Sequence, residues 1–322
     1  MRFDSVGVIG LGFLGRGIAA SLLSAGLRVI AVESQQQALV EARRYIETAI
    51  SEIVSHGAMP AQEAVPWTER YSASASLADL ECCPFVIESV TEDLAVKRSL
   101  FDELEGIVAA DVPIASNTSA LPITLLQQAR KHPSRFLGMH WAEPAYATRF
   151  LEIIRGDHTS DAAIDAAMEL GRLTEKEPCI VNQDIPGFIA NRLGYAMYRE
   201  AANLLELGIA DVGTIDRAFC NAFGTWAALC GPFRWIDITG GPELYAKAMT
   251  GVLPTLSALS EVPSSFRERR ERGERGTING RGFYTYQDGD AERWQKLQHE
   301  HAWAIRRLQD HSHPLKNDNE AT

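Results

Sequence analysis

His140 closes a short apolar run at 136–140, and Glu152 lies twelve residues on, inside a second apolar run at 150–154. Pro144 falls between them, where a turn can send the second run back alongside the first as an antiparallel strand. A carboxylate within reach of one imidazole nitrogen fixes the tautomer and raises the basicity of the other. Such a pair can act as a general base, worth about 10²–10⁴ in rate. The same spacing also admits a blander arrangement, with the histidine bonded to backbone and the glutamate turned to solvent. A further polar strand end, Ser116-Asn117-Thr118-Ser119, supplies neutral side chains that polarise a carbonyl without taking its proton.

What such a base would serve is written near the N-terminus. Gly10-Leu11-Gly12-Phe13-Leu14-Gly15 joins an apolar run, Val6 to Ile9, to a helical stretch, and Glu33 closes the next apolar run. Strand, glycine turn, helix and a second strand ending in an acid are the parts a dinucleotide needs. Gly10 allows the tight turn, Gly12 lets a pyrophosphate approach bare backbone, and Gly15 lets the helix lie close on the sheet. Phe13 and Leu14 carry the backbone into the helix N-terminus, where phosphates are met by amides. Glu33, 18 residues past Gly15, stands where ribose hydroxyls are bound. A carboxylate there accepts from the 2′-hydroxyl of NAD and repels the 2′-phosphate of NADP, and Ser34-Gln35-Gln36-Gln37 offers no arginine to clamp one. NAD is the expected cofactor. The alternatives are a purely structural glycine turn and a reductase working with NADP.

At 322 residues and 46% hydrophobic content the chain has material for two ordinary domains. A net charge of −11 argues against a nucleic-acid partner, which calls for clustered basic surface. Five cysteines, two of them adjacent (Cys82, Cys83), make no disulfide framework and no CxxC pair, which fits a reducing cytoplasm. No metal site is expected. The N-terminal apolar stretch is broken by Gly and Arg16, so it reads as a first strand–helix unit rather than a signal peptide. No apolar span approaches the length a membrane helix requires.

The elements that must position these residues alternate in the first half. Strands are expected over 6–10, 27–33, 85–89, 113–116, 136–140, 150–154 and 179–181, and helices over 14–25, 36–55, 95–108 and 161–173. Short runs apolar throughout suit a sheet covered on both faces. This predicts a doubly wound α/β domain over 1–183. Near Asp184-Ile185-Pro186-Gly187 the pattern changes to helices only, over 191–207, 211–222 and 291–308, giving a helical domain over 184–322. Residues 250–261 and 264–275 are ambiguous; Arg267, Arg269, Arg270, Arg272 and Arg275 interleave with glutamates as on a solvated face. Residues 311–322 are polar and expected to be disordered.

Taken together, seven motifs resemble the L-3-hydroxyacyl-CoA dehydrogenase family over residues 5–287. They are V-I-G-L-G-F-L-G (8–15), E-S-V-T-E-D-L-A-V-K (88–97), S-N-T-S (116–119), G-M-H-W-A-E-P (138–144), F-L-E-I-I (150–154), D-I-P-G-F-I-A-N-R (184–192) and G-R-G-F-Y-T-Y (280–286). The resemblance implies a Rossmann-type domain followed by a helical dimerisation domain. It implies an NAD-dependent dehydrogenase that interconverts a 3-hydroxy and a 3-keto acid or thioester. His140 would take the hydroxyl proton, with Glu152 orienting and charge-balancing it. Ser119 would bond the substrate oxygen, and Asn191 the substrate carbonyl or the base, the other readings being a turn-forming Ser and a helix-capping Asn. Glu92 and Lys97 would reach the nicotinamide end of NAD, with a surface ion pair as the other reading, and Asn117 the nicotinamide ribose. Trp235-Ile236-Asp237-Ile238-Thr239-Gly240-Gly241, after Gly231-Pro232-Phe233, is similar to the family's subunit-packing region, so a homodimer is expected. Retention of the fold for a non-catalytic, crystallin-like role is the rival from another class.

Two departures bear on the substrate. Where the family has aromatic-aromatic-Asn-Pro after the histidine, this chain has Trp141-Ala142-Glu143-Pro144, which puts a carboxylate close to the acyl site. Unless protonated, it would disfavour an anionic group there and suit a cationic or hydroxyl-bearing one. The other reading is that Glu143 turns outward or pairs with Arg149. Members that use CoA carry a lysine-rich helix pair after the second strand. The matching stretch here, 35–69, has Arg43 and Arg44 as its basic residues against five glutamates. That favours the family's branch acting on small free hydroxy acids, such as the carnitine, gulonate and pyridine-carboxylate dehydrogenases. Arg149 and Arg192 are candidates to meet a substrate carboxylate.

Overall fold

Short runs, most of them apolar and too short for buried helices, become the strands of one sheet in the computed structural model, which describes residues 3–58 and 67–315. They are β1 (Ser5–Ile9), β2 (Arg28–Val32), β3 (Tyr71–Ser74), β4 (Val86–Glu88), β5 (Ile114–Ser116), β6 (Phe136–Trp141), β7 (Phe150–Ile154) and β8 (Glu177–Val181). The spatial order is β3-β2-β1-β4-β5-β6-β7-β8. From β3 to β6 every pairing is parallel; β7 then runs antiparallel to β6, and β8 lies parallel to β7. The sheet is therefore mixed, and its reversal falls between the two strands that carry His140 and Glu152. The short strand β3, Tyr-Ser-Ala-Ser, has no apolar run to announce it.

Helices α1 (Gly15–Ser24), α2 (Gln36–Ser55), α3 (Trp67–Arg70), α4 (Leu94–Leu104), α5 (Ile123–Gln127) and α6 (Asp161–Leu173) complete this layered unit. Asp93 caps α4 by accepting from the amides of Ala95 and Val96, and Ser160 caps α6 through Ala163. Ile18, Leu22, Leu23, Ile46, Phe101 and Phe136 lie among the fully buried side chains.

The chain divides into one unit over Met1–Asn191 and a second over Arg192–Thr322. The expected break at 183/184 falls eight residues earlier than this division. The segment between is tied to the sheet: Asp184 Oδ2 accepts from Thr124 N, and Phe188 is fully buried. Helix α7 (Ala190–Glu206) starts at the division.

The second unit contains α8 (Val212–Ala222), α9 (Pro232–Ile238), α10 (Gly241–Val252), α11 (Ser264–Glu271) and α12 (Asp290–Ser312). The ambiguous 250–261 stretch ends α10 and then leaves helix, while 264–271 is α11. Arg269 lies over the Phe283 ring and Arg272 pairs with Glu268 and Glu274, so these two arginines are engaged within their own unit. Residues 311 and 312 continue α12, contrary to the expected disorder there, and 316–322 lie outside the described residues.

A buried ion pair sits at the carboxyl ends of the central strands. Glu88, at the end of β4, accepts from Lys97 Nζ and Val90 N through Oε1 and from Ser116 Oγ through Oε2, each at 2.6 Å. Both partners of the pair are essentially inaccessible to water. Removing one leaves an uncompensated charge, a loss of about 3–5 kcal/mol. Lys97→Met is expected to lose that much in urea unfolding, and Glu88→Gln combined with Lys97→Met to recover part of it.

Candidate active site

Antiparallel pairing sets His140 opposite Glu152 in register. His140 Nδ1 stands 2.8 Å from Glu152 Oε2. The second carboxylate oxygen, Oε1, accepts from the amides of Ile189 (3.0 Å) and Ala190 (2.9 Å), at the start of α7. Burial alone would push the Glu152 carboxyl up. The hydrogen bond to His140 and those from the Ala190 and Ile189 amides outweigh it and hold the group below the usual carboxylate range. A carboxylate only accepts, so Nδ1 carries the ring proton and Nε2 keeps the lone pair. Among the described residues no hydrogen-bond partner meets Nε2. Phe150 stands edge-on to the imidazole at 5.6 Å, and Phe188 lies against it at 6.0 Å. Phe188 itself adopts φ 49°, a left-handed conformation that bulky residues rarely hold without compensation from their surroundings.

The Ser116–Ser119 strand end is fixed by two clips. Asn117 donates to Ser89 Oγ (3.1 Å) and accepts from Trp141 N (3.0 Å), tying together the ends of β4, β5 and β6. Glu92 Oε1 accepts from Thr118 Oγ1 and from the amides of Ser119 (3.0 Å) and Ala120 (3.1 Å). Although burial opposes ionisation, those bonds and the Lys97 charge hold Glu92 below its ordinary range. Ser119 is exposed, and its carbonyl accepts from Asn191 Nδ2 at 3.0 Å. His140–Glu152 and Ser119–Asn191 thus each come together in pairs. Glu92 and Lys97 also meet, at 3.5 Å, though with Lys97 buried rather than on the surface.

The glycine turn satisfies the requirements of a dinucleotide one residue at a time. Gly10 has φ 85°, and a Cβ on it would stand 2.6 Å from the Ser89 carbonyl oxygen. A Cβ on Gly15 would fall 1.9 Å from the Gly10 carbonyl oxygen, so turn and helix touch backbone to backbone. On Gly12 a Cβ would meet no protein atom within 4 Å, so that glycine serves something other than internal packing. Leu14 precedes α1 with no side-chain cap, which leaves the helix start to an anion. Glu33 accepts from Leu11 N (3.0 Å) and Gln35 N (3.0 Å), which aims its carboxylate at the turn. Beside it a crevice of about 450 Å³ is lined by Ile9, Gly10, Val32, Glu33, Leu77 and Val90 among others, a mostly apolar slot fit for a flat base. The residues present fit NAD.

Several contributors were not singled out from the sequence. Glu88 ends an apolar run just as Glu33 does, and that repeated placement was the available signal. Thr118 and Phe188 lay inside quoted motifs without a role. Glu143 Oε1 accepts from the Tyr45 hydroxyl on α2 at 2.7 Å, and Oε2 reaches toward Gly17 of α1. Arg149 is buried with its guanidinium 3.7 Å from Glu177.

Sheet topology and glycine turn define a dinucleotide-binding domain. Comparison with known proteins carries this to a family: residues 5–185 match the NAD-binding domain of 3-hydroxyacyl-CoA dehydrogenase, and residues 187–286 its C-terminal domain. The chain belongs to the 3-hydroxyacyl-CoA dehydrogenase family and is an NAD-dependent oxidoreductase acting on CH–OH groups. It is 30% identical to a 5-formyl-3-hydroxy-2-methylpyridine 4-carboxylate 5-dehydrogenase of Mesorhizobium japonicum, across 94% of this chain and 97% of that one. A solved structure of a dehydrogenase of this kind, described as an NAD⁺-dependent dismutase, superposes with a TM-score of 0.88 at 28% identity, covering 95% of this chain and 98% of that one. An (S)-3-hydroxybutyryl-CoA dehydrogenase of Ralstonia eutropha gives 0.73 at 30% identity, covering 89% and 100%. The fatty acid oxidation complex subunit alpha of Psychrobacter arcticus is 31% identical across 89% of this chain, which spans 39% of that longer protein.

Because the folded Glu152 carboxyl titrates below its unfolded value of about 4.3, its stabilising contribution is complete above that pH. It is lost as pH falls through the depressed value. Glu152→Gln removes this titration, so its stability from urea unfolding should fall less steeply with acid than the wild type's.

Proposed function

We propose that His140 is the general base of this dehydrogenase, that Glu152 fixes its tautomer, and that the substrate is a small free acid rather than a CoA thioester. The 2.8 Å contact between Nδ1 and Oε2 carries the chemical part of the reading. With Nδ1–H bound to the carboxylate, Nε2 accepts the proton of a substrate hydroxyl. The imidazolium that forms rests beside a negative charge already in place. NAD, when bound, supplies the hydride acceptor. Ser119 and Asn191 polarise the oxygen or carbonyl of the substrate, and Asn117, Glu92 and Lys97 shape the nicotinamide side.

The preference for a free acid rests on α2 and the segment after β6. Tyr45 donates to Glu143, Tyr146 donates to Glu52 at 2.6 Å, and the two tyrosine rings meet edge to face at 6.3 Å. These contacts draw residues 142–148 against α2, whose flank carries few cations for a multiply charged nucleotide. The Mesorhizobium relative, matched nearly end to end, acts on a pyridine carboxylate and supports the same reading.

Exposed apolar surface on the second unit supports a homodimer. Of its described apolar side chains, only Ala202 and Trp303 are fully buried, while Phe233, Tyr195 and Leu193 are 83%, 68% and 59% exposed. Helices with so little core of their own find it in a second copy. Sedimentation of the full chain is expected to give twice its 35.4 kDa mass.

His140→Gln should lower kcat by about 10²–10⁴ while NADH still quenches protein fluorescence with wild-type affinity. Unchanged turnover would remove His140 as the base. Assayed side by side, free keto, hydroxy and formyl acids, pyridine carboxylates among them, should outperform acetoacetyl-CoA; the opposite order assigns the enzyme to thioesters.

A further inference from the structure

Arg16 is the first residue past the glycine turn and lies in the opening turn of α1, which holds no acidic residue. Cations are disfavoured at that end of a helix by its partial positive charge. The guanidinium is half-buried, lies over the Tyr45 ring at 4.3 Å and reaches Phe13 at 5.8 Å. Its Nε is buried without a hydrogen-bond partner, and among the described residues no carboxylate stands within ion-pair distance. Stacking occupies the faces of a guanidinium and leaves its in-plane N–H groups for a planar, two-oxygen acceptor. Tyr45 is itself anchored. Burial, with the Glu143 carboxylate beside it, pushes its hydroxyl well above the ordinary range, so it remains a donor to Glu143.

Location separates two anions that this arginine can meet. Glu33, the acid placed to bind ribose, precedes α2, whereas Tyr45 lies nine residues into that helix, about 13 Å along it at 1.5 Å per residue. Tyr45 in turn bonds the segment that leaves His140, three residues past the base. Arg16 therefore faces the side of the turn that continues toward the base, away from the ribose acid. We infer that Arg16 determines substrate specificity by binding the carboxylate of the free acid, held in a stack on Tyr45 that Glu143 locks. This rests on the free-acid reading above and supplies it with a cation; Arg149 is instead buried beside Glu177.

The test compares the best free acid of the panel with the methyl ester of the same acid, for the wild type, Arg16→Gln and Arg16→Lys. Loss of one charge-assisted contact should lower kcat/KM for the acid on the order of ten- to hundredfold in Arg16→Gln, chiefly through KM. The ester should be little changed, and Arg16→Lys should recover part of the loss. NADH affinity by fluorescence quenching should stay at the wild-type value, which also reports a folded cofactor domain. An equal loss for acid and ester, or weakened NADH binding with the acid-to-ester ratio unchanged, overturns the assignment and gives Arg16 to the cofactor. A wild type that prefers acetoacetyl-CoA overturns the free-acid reading itself, and that outcome is visible before any variant is made.

Discussion

One buried carboxylate holds the end of the sheet around His140 together. Glu152 has two oxygens and spends them in different directions, one on an imidazole nitrogen and one on two backbone amides where α7 begins. A charge out of water is tolerated only when its lone pairs are met. Here a strand, a histidine and a helix start must all be in place to meet them. The negative charge beside His140 is thus fixed by the fold itself, before any ligand arrives.

The same economy recurs across the carboxyl ends of the strands. Glu33 follows β2 and braces the glycine turn; Glu88 ends β4 and neutralises Lys97; Glu92 holds the loop after β5 through Thr118 and two amides. In each case an acid at a strand end gathers backbone or side-chain donors from the neighbouring connection. The crevice is thereby rimmed by connections that are fixed by ionic hydrogen bonds rather than by apolar packing, for which short exposed loops have no material.

Much of this was legible in the residues. Glycine spacing and Glu33 announced the nucleotide turn because each position has a steric or hydrogen-bonding reason for its residue type. His140 and Glu152 were readable as a pair because antiparallel strands joined by a short connection bring such spacings into register. Tyr45–Glu143 was not readable, since it joins residues 98 apart through the path of α2. Tyr71 to Ser74 gave no strand signal because half of it is serine. The break read at 184 follows the change in pattern there, and the amides of Ile189 and Ala190 just beyond it meet the Glu152 carboxylate. The helical unit stayed vague for another reason: its apolar side chains are largely uncovered within one chain, so periodicity there does not report a core.

The reversal of β7 has a consequence for how such an enzyme can change its diet. His140 and Glu152 are locked by ladder hydrogen bonds on either side of one short connection, residues 142–149, which turns back at the ligand edge of the sheet. That connection can be rewritten, lengthened or re-anchored while His140 and Glu152 keep their register. Novelty in substrate and permanence in chemistry are thus assigned to adjacent stretches of a single hairpin.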